Sequence, residues 1–425
     1  MADLFFYIIA GILVFDYLLE RLLDYLNMTR MSGELPAELN GIYDPVRYRK
    51  SQDYLRTRQR FSFVTSTVNF LAVLAVLTSG AFAWADGILR GVTENPVLLA
   101  LLFFGSVGFI ASLLTIPFEL YAVFVIEERF GFNTMTVRTF ILDKLKGWLL
   151  GGLIGGGMLA LVTWIYLSTG SWFWLLVWGA ATVFMIFMTM FYSNLIVPLF
   201  NKQKPLEEGI LRDAIEKFAR EAGFRLKNIY VIDGSKRSKK ANAYFTGIGP
   251  KKRIVLYDTL IKDHTTEELV AVLAHEIGHY KMKHTAQGIV LSILQTGLML
   301  FILSWFIRPG DPLSAALCQS VSGFSGLGVI QSFHLGILAF GMLYSPLSTV
   351  ISLFENMLSR RNEYAADRFA GTRYDALALG EALKKLSVNN LSNLRPHPAY
   401  VFFYYSHPTL LQRLKALEDA GGKPA

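Results

Sequence analysis

Long apolar runs recur along this chain, and they constrain its fold more than any other feature. A helix that crosses a bilayer needs about 20 mostly apolar residues. Hydrophobic residues make up 53% of the 425 residues and charged residues only 17%, which is less charge than a soluble enzyme carries. The runs predict seven membrane-spanning helices, at residues 4–23, 61–85, 97–124, 147–168, 172–198, 287–307 and 328–354.

The first of these runs is the least uniform. Asp16, Glu20 and Arg21 interrupt it, and only Asp3 precedes it, where a secretory signal would carry basic residues. The run is therefore predicted to stay in the protein as a membrane anchor rather than to be cleaved.

Basic residues in the connecting segments predict the orientation in the membrane. Every second segment is rich in lysine and arginine. The basic segments are 25–60, 125–146 and 199–286, and the segments with few basic residues are 86–96, 169–171 and 308–327. By the positive-inside rule, the N-terminus lies outside and the C-terminus is cytoplasmic. Orientation and anionic lipid also account for the net charge of +8, so no nucleic-acid partner is expected.

A single cysteine, Cys318, excludes an internal disulfide and a cysteine zinc site within one chain. Because it falls in the segment 308–327, it is predicted to lie in an outer loop without a functional role.

The order of apolar and polar segments predicts four parts. They are a five-helix membrane region (1–198), a cytoplasmic segment (199–286), membrane helices six and seven (287–354) and a cytoplasmic C-terminal segment (355–425). The second part is predicted to contain an amphipathic helix at 205–223. Short strands are predicted at 228–233, 242–247 and 253–261, with turns at Gly234, Gly247 and Gly249. The predicted fold class is a mainly α, polytopic membrane protein with a small β-sheet.

The sequence H-E-x-x-H, formed by His275, Glu276 and His279, predicts a metal site. Residues i and i+4 share one face of a helix, so both imidazoles can bind one Zn²⁺, with the glutamate beside the open position of the metal. Thr265 and Glu268 form a capping-box pattern that predicts the start of this helix. A helix with two structural histidines and a surface glutamate is the alternative.

A catalytic zinc site usually has three protein ligands and one open position, so a third ligand is needed. His284 follows His279 by five residues and is predicted to point away from the ligand face. Glu363 is the best candidate, and Asp367, four residues later on the same face, could hold a ligand histidine from behind. From spacing alone, a solvated acidic face is equally consistent with this pair.

Besides the metal motif, five other segments of the chain are similar to segments of a known protein family. The metal motif is followed, two predicted spans later, by S-R-R-N-E-Y-A-A-D at 359–367. The other segments are F-E-L-Y at 118–121, E-E-R-F-G-F-N at 127–133, N-A-Y-F-T-G at 242–247 and S-H-P-T-L-L-Q-R-L at 406–414. In this order they resemble the type I CAAX prenyl protease family of integral-membrane zinc metalloproteases, over nearly the whole chain.

The resemblance implies a role for each candidate residue. His275, His279 and Glu363 would bind one zinc ion per chain, with Glu276 as the general base and Asp367 behind a ligand. His407 would help to stabilise the developing oxyanion. The resemblance also implies that seven helices enclose a chamber, with a zincin-like domain at its cytoplasmic end.

Two further residues are implied to face the substrate. Asn242 would lie on a strand beside the cleft, along which an extended peptide could pair. Arg413 would either contact a substrate carboxylate or form a structural ion pair, and the structural role is favoured.

The function expected from the resemblance is a membrane endopeptidase that cleaves near the C-terminus of CAAX-type, prenylated or hydrophobic peptides. Its partners would be a peptide or lipidated protein and the bilayer, and the oligomeric state is open. The alternative with the same site is a quality-control protease for misfolded or stalled proteins. A transporter would show paired, interrupted spans, which are not seen. A catalytically dead scaffold is disfavoured because the expected catalytic residues are present.

The chain is shorter than eukaryotic members of that family, and residues 421–425 carry no obvious retrieval signal. A bacterial member is therefore expected, in the inner membrane; a eukaryotic one would lie in the endoplasmic reticulum.

Overall fold

The computed structural model describes residues 1–224, 229–246 and 253–421. The turns predicted at Gly247 and Gly249, and residues 422–425 of the tail, lie outside these ranges. Within them the chain is mainly helical with one small mixed sheet, as the sequence predicted.

The N-terminal membrane region consists of helices joined by turns, by a longer connection at residues 29–44 and by two π-helical segments, Ala122–Glu127 and Gly151–Gly155. The helices are α1 (Ala2–Met28), α2 (Pro45–Ser79), α3 (Ala81–Arg90), α4 (Pro96–Tyr121), α5 (Glu128–Phe130), α6 (Val137–Leu150), α7 (Gly156–Thr169), α8 (Phe173–Leu195) and α9 (Val197–Phe200).

Six helical stretches in the described part of the chain are long and apolar enough to cross a membrane. One of them, Val137–Phe200, is 64 residues long and contains two of the predicted spans. These spans lie on either side of Gly170, whose φ is 55°, and α7 packs against α8. The predicted count of seven is therefore not confirmed as such, although most residues of each predicted span are helical; the last span starts at Phe333 rather than at residue 328.

The predicted span 61–85 is wrong at its C-terminal end. Helix α2 stops before Gly80, which has a left-handed φ of 73°, and α3 starts directly afterwards. A Cβ atom on Gly80 would lie 2.3 Å from the carbonyl oxygen of Ser322 and 2.4 Å from Ser325 Oγ. Only glycine tolerates both this conformation and this contact, so the chain turns here inside an apolar run.

Cys318 also differs from its predicted position. It lies on a helix, α14 (Pro312–Ser320), where it is buried and its Sγ is 3.5 Å from the carbonyl oxygen of Ser332. It belongs to the apolar core between the membrane helices rather than to an exposed loop.

Large apolar side chains also cover the outside of the membrane helices. Leu71 on α2 is 55% exposed, and Ile110 and Leu114 on α4 are 57% and 63% exposed. A surface of this kind is unfavourable in water over so large an area and favourable against lipid. The exposed apolar faces therefore fit the predicted bilayer environment.

The remaining elements form the last membrane helices and the region around the H-E-x-x-H motif. The strands are β1 (Gln203–Pro205), β2 (Ile229–Ile232), β3 (Ala243–Thr246) and β4 (Arg253–Tyr257). The helices are α10 (Ile210–Glu221), α11 (Asp258–Asp263), α12 (Thr266–Lys281), α13 (His284–Phe306), α15 (Phe333–Ala370), α16 (Ala376–Asn389), α17 (Pro398–Tyr404) and α18 (Leu410–Gly421). The region around the motif comprises the sheet, α10–α12, the end of α15 and α16–α18, and it is called the catalytic region.

The four strands are arranged in the order β1-β2-β4-β3, with β2 and β4 parallel and the other pairs antiparallel. The three predicted strands are present within the described residues, but the strand predicted at 253–261 is too long, because it ends at Tyr257 and residues 258–261 belong to α11. Strand β1 was not predicted, because Gln203-Lys204-Pro205 has no apolar alternation. Strand β3 lies at one edge of the sheet, next to the metal motif.

Helix α12 is the centre of the catalytic region. Its capping box is confirmed, since Thr265 Oγ1 accepts from the backbone N–H of Glu268 and the Glu268 carboxylate accepts from that of Thr265. Helices α10, α15 and α16 all pack against α12, so most of its side chains are buried. A helix that is buried on several faces holds its residues in fixed positions.

One continuous helix, α15, runs through 38 residues and crosses residue 354, where the sequence suggested a boundary. It starts among the membrane helices and ends beside α12. The division of the chain at 198, 286 and 354 stays a prediction.

The basic segments predicted to be cytoplasmic lie at the same end as the catalytic region. Arg237 forms an ion pair with Asp143, at 2.7 Å, and Lys240 forms one with Glu127, at 2.9 Å. These contacts join segment 125–146 to segment 199–286.

Candidate metal centre and active site

The close approach of α12 and α15 places the metal motif next to Glu363. A Cβ atom on Gly278 would lie 3.1 Å from Phe369 Cδ1 and 3.3 Å from Ala366 Cα. The absence of a side chain at Gly278 therefore lets the two helices pack closely. The H-E-x-x-H motif determines only that its residues share one face of α12. The contact at Gly278 determines that α15, with Glu363, lies opposite that face.

Three candidate ligands converge on one point. His275 Nε2 and His279 Nε2 are 3.1 Å apart, and Glu363 Oε1 lies 3.1 Å from His279 Nε2. Glu363 Oε2 is 3.5 Å from His275 Nε2. Ligands about 2.0–2.1 Å from a tetrahedral zinc ion are separated by about 3.3–3.4 Å. The donor atoms thus already have nearly the spacing that zinc requires.

The hydrogen bonds behind the two imidazoles indicate which nitrogen faces the metal position. His275 Nδ1 is 2.8 Å from Asp367 Oδ1, and His279 Nδ1 is 3.0 Å from His284 Nδ1. If each Nδ1 carries the proton of such a bond, both Nε2 atoms present lone pairs to the same space. Two lone pairs and a carboxylate oxygen repel one another unless a cation lies between them.

The buried carboxylate of Glu363 gives a second sign that the site holds a cation. Its Oε2 atom is buried and has no hydrogen-bond partner among the described residues. Burial lowers the pKa of His275, but the nearby carboxylates of Asp367 and Glu363 outweigh burial and raise that pKa to about 9. A positive charge is therefore favoured at this position, and the donor set fits zinc.

Arg413, on α18, supports the metal ligands through hydrogen bonds. Its guanidinium donates to both oxygens of Asp367, over 2.8 Å from Nε and 2.6 Å from Nη2. Its Nη1 is also 3.6 Å from Glu363 Oε2. A paired, bidentate guanidinium of this kind positions Asp367, and through it His275.

His407 lies on the open side of the ligands. Its Nε2 atom is 3.3 Å from Glu363 Oε1, and 62% of its side chain is exposed. Ser406 Oγ is 2.9 Å from His407 Nδ1. The imidazole is thus near the metal position and still accessible to a substrate.

Glu276 lies between two cavities that meet at the site. One, of about 410 Å³, extends between α13 and α15 and is lined by His279, His284 and Glu276. The other is a narrower cleft of about 200 Å³. The Glu276 side chain is half-buried, so water can reach it from the larger cavity.

The narrow cleft joins the metal ligands to an apolar pocket. Asn242 and Ala243, at the start of the edge strand β3, form one side of it. Its apolar lining consists of Leu260, Val272, Leu379, Leu383 and Leu386. A small pocket lined by aliphatic side chains can accommodate an aliphatic group of a ligand.

Two features of this site are not evident from the sequence. His284 does not reach the metal position, as expected, but it contacts His279 because Lys283 adopts a left-handed φ of 61° that turns the chain back. The leucines of α16 give no signal in sequence, because an apolar helix face is usually core. The structure brings together His275, Glu276, His279, Glu363, Asp367, His407 and Arg413, with Asn242 at the border of the cleft.

Comparison with known proteins gives consistent matches along the chain. Residues 24–202 match the family model of the CAAX prenyl protease N-terminal region with five membrane helices, and residues 205–420 match peptidase family M48. CAAX prenyl protease 1 homolog of Arabidopsis thaliana is 35% identical over 100% of both chains. CAAX prenyl protease 1 of Saccharomyces cerevisiae is 34% identical over 98% of this chain and 96% of its own.

A solved structure shows the same fold. The crystal structure of S. mikatae Ste24p aligns with a TM-score of 0.89 at 33% identity, covering 97% of this chain and 98% of that chain. These relatives are eukaryotic, so they do not support the expectation of a bacterial source. The two family models, the full-length relatives and the structural match show that this chain belongs to peptidase family M48, in its CAAX prenyl protease group.

Proposed function

We propose that this protein is a zinc-dependent membrane endopeptidase that cleaves CAAX-type peptides near their C-terminus, with its catalytic centre on the cytoplasmic side. The observation that carries the proposal is the convergence of His275, His279 and Glu363 beside an aliphatic pocket and a strand edge. The basic segments at the catalytic end support the cytoplasmic orientation.

The ligand set would hold one zinc ion per chain. When bound, zinc would supply Lewis-acid chemistry that acidifies a water molecule and polarises the scissile carbonyl. Glu276 then takes a proton from the attacking water and later gives it to the leaving amine. Its position between the cleft and the water-accessible cavity suits both transfers.

The substrate would lie extended along β3. Backbone pairing with an edge strand aligns a peptide without demanding a particular sequence. Val272 precedes His275 by three residues on the same helix face, so the aliphatic pocket adjoins the metal position. The pocket would take the aliphatic residue that follows the scissile bond in a CAAX peptide.

His407 would stabilise the charge that develops on the carbonyl oxygen. It is exposed to the cleft and lies within 3.3 Å of Glu363 Oε1, and its imidazole can donate a hydrogen bond toward the metal position. Loss of one such donor typically costs about 10²–10³ in turnover.

The proposal is tested with purified protein in detergent and two peptides ending in the same CAAX sequence, one farnesylated and one not. Wild type should cleave the farnesylated peptide. Glu276→Gln should keep one zinc per chain and lose about 10²–10⁴ in turnover. A zinc-loaded mutant with more than about a tenth of wild-type turnover would refute the general-base role.

The unmodified peptide reports on the substrate class. Cleavage of the farnesylated peptide alone indicates a lipid-reading enzyme, whereas equal cleavage indicates an endopeptidase that needs only an extended chain. Absence of cleavage despite bound zinc would favour the quality-control alternative.

A further inference from the structure

A second polar cavity, of about 530 Å³, adjoins the catalytic cleft. Asn242 lines both spaces, so the cavity begins where the cleft ends, at the N-terminal end of β3. We refer to it as the basic cavity. Its polar lining comprises Asn201, Arg237, Ser238, Lys240, Asn242, Tyr257 and Asn390.

We propose that the basic cavity binds the C-terminal carboxylate of the peptide, so that the enzyme measures the distance from the chain end to the scissile bond. This inference rests on the proposed endopeptidase function and adds a residue-level reason for cleavage near a free C-terminus.

The charges in the basic cavity are arranged asymmetrically. Arg237 and Lys240 line it, whereas their acidic partners, Asp143 and Glu127, do not. Arg237 is held by both oxygens of Asp143, at 2.7 and 2.9 Å. The lining of the cavity therefore contains two cationic residues and no carboxylate, so a carboxylate in the cavity meets positive charge first.

Lys240 keeps hydrogen-bonding capacity for a ligand, whereas Arg237 already donates to Asp143, Asn201 and the carbonyl oxygen of Phe200. The Lys240 ammonium contacts Tyr54 Oη at 2.7 Å and Glu127 Oε2 at 2.9 Å. Among the described residues these contacts use two of its three N–H donors. Because the side chain is already fixed, binding of a carboxylate costs little further side-chain entropy.

The spacing along the chain suits a short C-terminal segment. A strand advances about 3.3–3.4 Å per residue, so three residues after the scissile bond span about 10 Å. Lys240 precedes Ala243, the first residue of β3, by three residues. A peptide that pairs with β3 beside the metal ligands thus has its third following residue near Lys240.

The position of the basic cavity also fixes the direction of the peptide. To place its C-terminus at the N-terminal end of β3, the peptide must run antiparallel to that strand. Antiparallel addition to an edge strand gives a regular hydrogen-bond pattern, so charge and backbone pairing favour the same direction.

The test uses two peptides of identical CAAX sequence, one ending in a free carboxylate and one in a carboxamide. We expect wild type to prefer the acid by about tenfold in kcat/KM, mainly through KM, as for a charge-assisted hydrogen bond. Binding of both peptides to Glu276→Gln protein is measured in parallel. The preference for the acid over the carboxamide should also fall when both peptides are extended beyond the last residue of the CAAX sequence.

Variants at one position assign the effect. Lys240→Gln should reduce the preference for the acid to less than about twofold, and Lys240→Arg should keep most of it, since arginine keeps the charge. Lys239→Gln is the matched control, because Lys239 is exposed and does not line the basic cavity, and it should behave as wild type.

The outcomes separate this inference from the proposed function. Equal cleavage of acid and amide by wild type overturns the carboxylate site and leaves the endopeptidase intact. An undiminished preference in Lys240→Gln also overturns it. If wild type cleaves neither peptide, stronger binding of the acid by Glu276→Gln protein would still support the carboxylate site, and equal binding would overturn it.

Discussion

Two buried groups in this protein have the same composition and different chemistry. At the metal centre, His275 contacts Asp367, which is held by Arg413. Among the membrane helices, His334 contacts Asp86 at 2.7 Å, and Arg90 holds the second oxygen of that carboxylate at 2.8 Å. Each is a His–Asp–Arg group, yet only one faces other metal ligands.

The difference lies in which ring nitrogen the aspartate occupies. Asp367 contacts Nδ1 of His275, so Nε2 remains available beside His279 and Glu363. Asp86 contacts Nε2 of His334, and Ser332 Oγ lies 3.4 Å from the same atom. The ring of His334 also packs on Phe103, with centroids 4.8 Å apart. The membrane group is thus satisfied internally, and it stabilises the fold instead of presenting ligands.

Removal of a ligand should give the largest contrast between the two groups. Loss of a residue that holds a ligand from behind lowers metal affinity by up to about 100-fold. Glu363→Gln alters a ligand itself, so it should lower zinc affinity by more than about 100-fold and abolish turnover. His334→Gln should keep zinc and turnover. Metal content by mass spectrometry and peptide cleavage measure both, and metal loss in His334→Gln would show that the two groups are coupled.

Replacement of each aspartate should give an intermediate effect. Asp367→Asn should lower zinc affinity by about 10–100-fold, because the amide no longer fixes the His275 tautomer. Asp86→Asn should leave zinc affinity unchanged and lower the free energy of unfolding by about 1–3 kcal/mol, as for a buried group that loses a partner. Competition with a chelator and thermal unfolding separate the two effects. Similar zinc affinities in both variants would contradict the comparison.

The contact between His284 and His279 should give the smallest effect. A neutral imidazole is a weaker acceptor than a carboxylate, so His284→Ala should lower zinc affinity by about tenfold, the low end for an outer partner. His284→Gln keeps an acceptor and should recover part of that loss. The same chelator competition measures both variants, and wild-type affinity in His284→Ala would exclude a positioning role.

The sequence predicted the features that depend on local pattern. Apolar runs located the membrane helices, and the Thr265–Glu268 capping box located the start of α12. The turn at Gly80 was not predicted, because hydropathy is averaged over a run, whereas the turn depends on contact with Ser322, far along the chain. The burial of Cys318 was also not predicted, because it depends on the packing of α14 against helices distant in sequence.

Some features of the candidate site were likewise predicted from the sequence, and others depend on the tertiary structure. The spacing of His275, Glu276 and His279 indicated a metal motif because four residues form one helical turn. The spacing of Glu363 and Asp367 left two interpretations open. The structure distinguishes them, because the contact at Gly278 places α15 against α12 with both carboxylates buried.

The sequence by itself determined the membrane helices, the family resemblance and the residue types that can bind a metal, since these follow from composition and from spacing within one helix. Only the tertiary structure decided that His275 presents Nε2 and His334 does not, and that an aliphatic pocket and a basic cavity adjoin the same strand edge. The physical reason is that a side chain's chemistry depends on which atoms its partners occupy, and those partners come from helices far apart in sequence.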